Sequence, residues 1–206
     1  EVRPRLKGRS FLVRYADDFV MVFSQEDEAR RVLAVLHKRF ARHGLTLHPD
    51  KTRLVAFEAP PRDREGEDDR DGGGPGTFDF LGFTHYWGKS RRGNWVVFRK
   101  TAKGRLRRAL QAVARWCKWS RHAPLDEQHR TLAQKLRGHF AYYGITGNGR
   151  MLCAFRHKVY IIWRHWLAHR SRHTPDGLRG LDLRLGRFPL PEAVVVHSVY
   201  RHAAKP

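Results

Sequence analysis

Two short apolar runs, SFLVRY at residues 10–15 and FVMVFS at residues 19–24, stand on either side of Ala16, Asp17 and Asp18. Both are rich in β-branched and aromatic side chains, and so short a separation predicts a tight antiparallel hairpin with an acidic tip. Ala29, Val32, Leu33, Leu36 and Phe40 then recur at helical spacing. They predict a helix over residues 25–43, with Ser24 as its cap and Gly44 at its end. Leu45, Thr46 and Leu47 read as the start of a short strand, and residues 54–57 as an extended segment after the Pro49-Asp50 turn. Hairpin, helix and strand in this order predict half of a mixed α/β layer in which the helix covers one face of a sheet.

The pattern breaks over residues 58–76, where Pro60-Pro61, seven acids against three arginines in residues 58–71, and a glycine-rich end leave little to bury. A flexible insertion at a sheet edge is expected there. Strand character returns at residues 78–86 and 95–99, joined by a basic, glycine-containing turn over residues 88–94. Three amphipathic helices follow. In residues 102–119, Leu106, Leu110, Val113 and Trp116 share a face and leave Arg105, Arg108 and Arg115 to solvent or phosphate. Residues 125–143 carry Leu132, Leu136, Phe140 and Tyr143 as a stripe, and residues 149–169 carry Phe155, Val159, Ile162 and Trp166. Three antiparallel helices predict a small bundle. Beyond Thr174-Pro175 the chain reads as an irregular tail, with at most a short strand or helix over residues 193–196. The expected organisation is therefore 1–100, 101–173 and a tail over 174–206.

A chain of 206 residues can bury a core without staples. Cys117 and Cys153 have no Cys-x-x-Cys spacing, which argues against a disulfide framework or a zinc site and for a reducing compartment. No run approaches the roughly 18 apolar residues of a membrane span, so the expected location is cytoplasmic, in a bacterial-type cell. Charge changes the picture more: 41 Lys and Arg stand against 20 Asp and Glu, for a net +21 and a pI near 11.1. Between Lys100 and His173 there are 17 Lys and Arg and only two acids, Asp126 and Glu127. An arginine-rich composition could merely solvate a surface, but that explains the number of cations better than their segregation. A polyanionic partner, nucleic acid, is expected.

Asp17 and Asp18 are the sharpest chemical feature. A two-residue hairpin turn normally uses glycine or Asn-Gly, because its central residues need positive φ. An Ala-Asp tip implies backbone strain, which is tolerated most often where side chains must be held in a fixed direction. Adjacent carboxylates repel unless a cation lies between or beyond them, and hard oxygen ligands suit Mg²⁺. A bare Asp-Asp pair is more often a solvated acidic turn; here the apolar flanks put it on the rim of a buried sheet.

Arg14-Tyr15-Ala16-Asp17-Asp18-Phe19-Val20 resembles the Tyr-x-Asp-Asp motif in the palm of reverse transcriptases, in the form found in bacterial group II intron enzymes. Gly44-Leu45-Thr46-Leu47-His48-Pro49-Asp50-Lys51-Thr52 is similar to the next palm motif. Phe80-Leu81-Gly82-Phe83 resembles the primer-grip hairpin, and Lys135-Leu136-Arg137-Gly138-His139-Phe140-Ala141-Tyr142-Tyr143-Gly144 resembles the maturase-type thumb. The four motifs occur in order within residues 10–166.

The resemblance implies an α+β fold, a partial polymerase palm followed by an α-helical thumb bundle, and an RNA-directed DNA polymerase that uses two Mg²⁺ ions. Its partners would be an RNA template, a DNA primer, dNTPs and intron RNA. It implies catalytic roles for Asp17, Asp18 and Lys51, with Asp17 the principal metal ligand and Asp18 assisting. Lys51 would lie near the leaving phosphates, although an exposed turn lysine is an equally good reading. Leu81, Gly82 and Phe83 would form the primer grip, and Tyr15, Arg105, Arg108, Lys135, Arg137 and Arg156 would contact nucleic acid. Tyr142, Trp163 and Trp166 read as core, and His139, His157 and His165 form no metal-ligand set. A further palm aspartate and the fingers are not found in residues 1–9, so a missing N-terminal segment and an isolated chain without polymerase activity are expected. No zinc-containing endonuclease domain is expected. The alternative is a maturase-like module that binds RNA and catalyses nothing.

Overall fold

The computed structural model describes residues 6–60, 76–170 and 177–198. In chain order the elements are β1 (Ser10–Tyr15), β2 (Asp18–Phe23), α1 (Glu26–Arg42), β3 (Phe78–Phe80), β4 (Phe83–Lys89), β5 (Trp95–Thr101), α2 (Lys103–Trp119), α3 (Leu125–Tyr143), α4 (Gly149–Arg170) and α5 (Gly177–Gly186). The mixed α/β expectation holds. The described residues fall into two compact units, Glu1–Leu81 with His85–Val97, and Gly82–Thr84 with Phe98–Pro206.

In the first unit β1 and β2 pair antiparallel from Ser10 opposite Phe23 to Tyr15 opposite Asp18. The turn is therefore the dipeptide Ala16-Asp17, and Asp18 opens β2 rather than sharing the tip. α1 lies against β2, where Phe19 stacks on Phe40 with ring centroids 6.2 Å apart, and it buries Ala29 and Val32. This is the helix-on-sheet layer the pattern implied, but the hairpin is not the buried sheet expected: Phe11, Leu12, Val13 and Tyr15 of β1 are each more than half exposed, because α1 packs against β2. Ser24 does not cap it: Gln25 occupies the N-cap position with no side-chain bond to the helix. Glu26, Asp27 and Glu28 fill the first turn instead, where carboxylates meet the positive end of the helix dipole. Glu28 is fully buried, and its carboxylate accepts the backbone N–H of Lys7 at 2.6 Å and that of Gly8 at 3.2 Å. It thereby fixes the approach to β1. Gly44 ends the helix at φ +67°.

Residues 45–47 and 54–57 form no strand. Leu47 is buried, but the chain turns at once: the N–H of Thr52 donates to the His48 carbonyl at 3.0 Å, which takes the backbone out of any ladder. Phe57 instead packs its ring against Phe78 and Trp87, at 5.0 and 5.4 Å. The insertion expected over residues 58–76 lies mostly outside the described residues. The strand expected over residues 78–86 is two strands, β3 and β4, broken at Leu81-Gly82, and the three-stranded sheet has the order β3-β4-β5.

The second unit is built around α4, which packs against α2, α3 and α5. Val113, Leu132, Leu136, Phe140, Leu152 and Trp163 are among its buried core residues. Asn148 ties the helix starts together: its Oδ1 accepts the N–H of Thr101 at 2.9 Å, and its Nδ2 donates to Thr101 Oγ1 and to the Tyr143 carbonyl. At the opposite ends Lys118 Nζ sits over the Trp166 ring. α2 and α4 therefore run in the same direction and α3 returns between them in sequence, giving the small bundle expected.

The C-terminal stretch is not an irregular tail. α5 buries Leu181 and Leu185, one helical turn apart, in the same core as Leu190. The Arg164 guanidinium grips Asp182 with bonds of 2.6 and 2.9 Å, which holds the Asp182 carboxyl below the usual carboxylate range. Residues 193–196 form neither helix nor strand; the pairing lies one residue on, in a parallel bridge between Ile145 and His197. Among the described residues no helix is long and apolar enough to cross a membrane.

Candidate active site and nucleic-acid interface

The strain expected at the hairpin tip is present. Ala16 has φ +52°, a left-handed conformation that an L side chain adopts only at a cost of roughly 1–2 kcal/mol. Arg14 steadies it by donating its Nε–H to the Ala16 carbonyl at 2.8 Å. Among the described residues the only other non-glycine at positive φ is Leu81, at +50°. Both lie in motifs singled out for chemistry, where such strain concentrates.

Asp17, Asp18 and Tyr15 are exposed. Neither aspartate side chain has an ion pair or hydrogen bond to a described residue. Lys51 is also exposed, in the turn that follows His48, and makes no hydrogen bond or ion pair with either aspartate. Among the described residues no group of three or more His, Cys, Asp or Glu is gathered that could hold a metal ion. Two free carboxylates with hard oxygens nonetheless suit Mg²⁺, which keeps several waters and commonly takes only one or two carboxylates together with substrate phosphates. The pair fits as part of a ligand set.

Leu81 and Gly82 form the second strained turn, with Gly82 at φ +80°. Two consecutive positive φ values are those of a type I′ hairpin, which explains the break between β3 and β4. Within the second unit, a Cβ on Gly82 would lie 3.0 Å from the hydroxyl of Tyr143 and 3.7 Å from Cγ of Arg105. The Gly82 carbonyl accepts the N–H of Ala102 at 2.9 Å, at the start of α2. Phe83 stacks on Tyr142 at 6.0 Å and meets Tyr143 edge-on at 5.3 Å. Burial raises the pKa of Tyr143, while the cations of Arg105 and Arg108 oppose the rise. Gly82, Phe83, Tyr142, Tyr143, Arg105 and Arg108 thus converge.

Tyr142 corrects a sequence expectation. It is 56% exposed rather than core, because it lies two positions past Phe140, about 200° around α3, on the face opposite the stripe of Leu132, Leu136, Phe140 and Tyr143. Trp163 is core as expected, donating its indole N–H to Gln128 Oε1 at 2.9 Å, and Trp166 is half-buried against the same cluster. His139 is half-buried, stacked on Phe155 at 3.8 Å, with no hydrogen-bond partner for Nε2. His157 and His165 are exposed.

Of the remaining basic candidates, Arg105, Arg108 and Arg137 are exposed, and Lys135 holds its ammonium over the Trp116 ring at 5.8 Å. Arg156 differs. Its guanidinium donates to the carbonyls of Pro191, at 2.9 Å, and Leu190, at 3.0 Å, and so anchors the segment after α5. The position of Leu190 and Pro191 could not be read from residue spacing. Asn148 is equally invisible to spacing, since a lone Asn carries no pattern.

Residues 1–85 match the family described as reverse transcriptase (RNA-dependent DNA polymerase). The matched stretch includes both strained turns, the acidic pair and Lys51. No curated protein matches the chain.

Proposed function

We propose that this chain is the end of the palm and the thumb of a group II intron-type reverse transcriptase, an RNA-directed DNA polymerase that also assists splicing of its intron as a maturase. Residues 1–100 would be palm with the primer-grip hairpin, and residues 101–173 thumb. The observation that carries the reading is the positive φ of Ala16, directly before Asp17, inside the stretch similar to the polymerase family. A two-residue hairpin turn calls for positive φ there and a solvated one would take glycine; alanine kept at that φ in spite of the strain fits a neighbouring ligand that must be aimed.

Asp17 and Asp18 would hold Mg²⁺, with Asp17 the principal ligand and another segment supplying a further carboxylate. When bound, the metal pair would align the primer hydroxyl with the α-phosphate of a dNTP and offset the charge that builds on the departing pyrophosphate. Lys51 would place its ammonium near those phosphates. Leu81, Gly82 and Phe83 would hold the primer end through backbone and ring contact, and Arg105 and Arg108 would meet the phosphates of the template-primer duplex. Such contacts are largely indifferent to sequence and strongly salt-dependent.

The test joins the chain to a fingers-and-palm segment of a related polymerase and follows Mg²⁺-dependent extension of a DNA primer on an RNA template. Asp17→Ala should abolish extension and leave RNA affinity within about twofold, since removing one carboxylate leaves the phosphate contacts of the basic helices intact. Extension equal to that of the unsubstituted chain would overturn the catalytic reading in favour of a purely RNA-binding module. Substantial extension by the chain alone would show that the metal site needs no outside carboxylate.

A further inference from the structure

α2 carries Lys103, Arg105, Arg107, Arg108, Arg115 and Lys118 and no acidic residue at all. Its buried side, Leu106, Val113 and Cys117, is confined to one face. Arg108, Arg115 and Trp119 follow one another seven and four positions apart, which puts them on a single stripe of the opposite, exposed face. None of these arginines has an ion pair with a described residue. The stripe ends on Trp119, which is 92% exposed and makes no ring or cation contact with any described residue. The neighbouring Lys118 is engaged differently, with its ammonium 5.8 Å over Trp166.

A tryptophan so fully in water at the end of an acid-free basic helix has no packing role in this unit. Large aromatics of this kind bury most of their surface in a core. We infer that Trp119 is a base-stacking element for an unpaired nucleotide, at the point where an RNA strand leaves the duplex held by the arginines of α2. The inference rests on the nucleic-acid reading above and extends it to a single-stranded segment. Helix geometry sets the scale: from Arg105 to Trp119 the axis advances about 21 Å at 1.5 Å per residue. That is about six phosphate steps at 3.4 Å each along one strand. A flat indole suits any base, so the contact would be tolerant of sequence, and charge complementarity along the stripe would deliver the strand to it.

The experiment measures binding of the full chain to two labelled probes by fluorescence anisotropy over a range of salt. One is a blunt RNA–DNA hybrid and the other is the same hybrid with a six-nucleotide single-stranded extension of the RNA. The unsubstituted chain should bind the extended probe about tenfold more tightly, in the range of one stacked base. Trp119→Ala should remove that gain and leave blunt-hybrid affinity and the salt slope unchanged, while Trp119→Phe should keep most of it. Trp119 is exposed in a helix, and alanine is the better helix former, so the variant folds. A Trp119→Ala protein that keeps the full gain would overturn the inference while leaving nucleic-acid binding intact. Failure of the unsubstituted chain to bind either probe would overturn the underlying reading as well. Loss of self-association in Trp119→Ala, with both affinities unchanged, would also overturn it, assigning the face to a contact between copies.

Discussion

Arg14 donates its side-chain N–H to the carbonyl of Ala16, 2.8 Å away, across the turn that carries Asp17. The bond holds in place a backbone conformation that Ala16 resists, with φ +52°. Ala16→Gly should therefore be tolerated and should raise stability by up to about 1 kcal/mol, since relief of the left-handed strain outweighs the entropy glycine gains on unfolding. Ala16→Val, with a branched Cβ at the same φ, should lower stability by about 2 kcal/mol. Thermal unfolding of both variants decides the matter.

Asn148 spends its whole amide on Thr101 and the Tyr143 carbonyl in a fully buried position. Asn148→Ala leaves the Thr101 N–H and Thr101 Oγ1 without their partner away from water, while the Tyr143 carbonyl keeps the N–H of Ile145 at 2.8 Å. A loss of about 3 kcal/mol is expected, since each orphaned buried group costs roughly 1–3 kcal/mol. Urea unfolding should show a lower midpoint with an unchanged slope.

Burial lowers the pKa of His139 from 6.5 to about 4. Below pH 6.5 the unfolded chain takes up a proton that the folded ring refuses, so this group's contribution makes stability fall as pH drops from about 6.5 toward 4. Above pH 6.5 both states are neutral and the contribution is flat. His139→Phe keeps the stacking on Phe155 and should flatten that part of the pH dependence, as compared by urea midpoints at pH 7 and pH 4.5.

The two cysteines should react at very different rates. Cys117 is buried in α2 and its pKa is pushed up to about 12 by that burial, against the opposing charge of Lys135, while Cys153 is exposed. A thiol reagent at pH 8 should modify Cys153 within minutes and Cys117 only on unfolding, because the thiolate is the reactive form. Rapid modification of both would mean that the helical core is open.

Arg105→Ala with Arg108→Ala should weaken binding to an RNA–DNA hybrid and reduce the slope of log affinity against log salt by roughly 1.8, about 0.9 for each phosphate that is no longer neutralised. The same measurement on Arg156→Ala should show a nearly unchanged slope, because that guanidinium is committed to the Leu190 and Pro191 carbonyls.

Local physics made much of this chain legible from its residues. The hairpin, α1, and the three long helices follow from apolar spacing, and the spans of α2 and α3 fall within a residue of the pattern because their stripes are regular. The strained acidic tip was readable from the absence of glycine between two strands. α5 was not, since Gly177, Gly180 and Gly186 weaken its helical signal; it is packing of Leu181 and Leu185 onto the core that stabilises it.

What tertiary structure alone decided are the relationships between distant residues. Spacing cannot show that Asn148 holds Thr101, that Arg156 is committed to a carboxy-terminal segment, or that Tyr142 faces water while Tyr143 closes over Gly82. Nor could it show that residues 45–47 and 54–57 find no strand to pair with, since a β-strand exists only through its neighbour's hydrogen bonds. Periodicity along the chain specifies which faces are apolar; which groups meet depends on how those faces are closed, and that closure is a property of the whole fold.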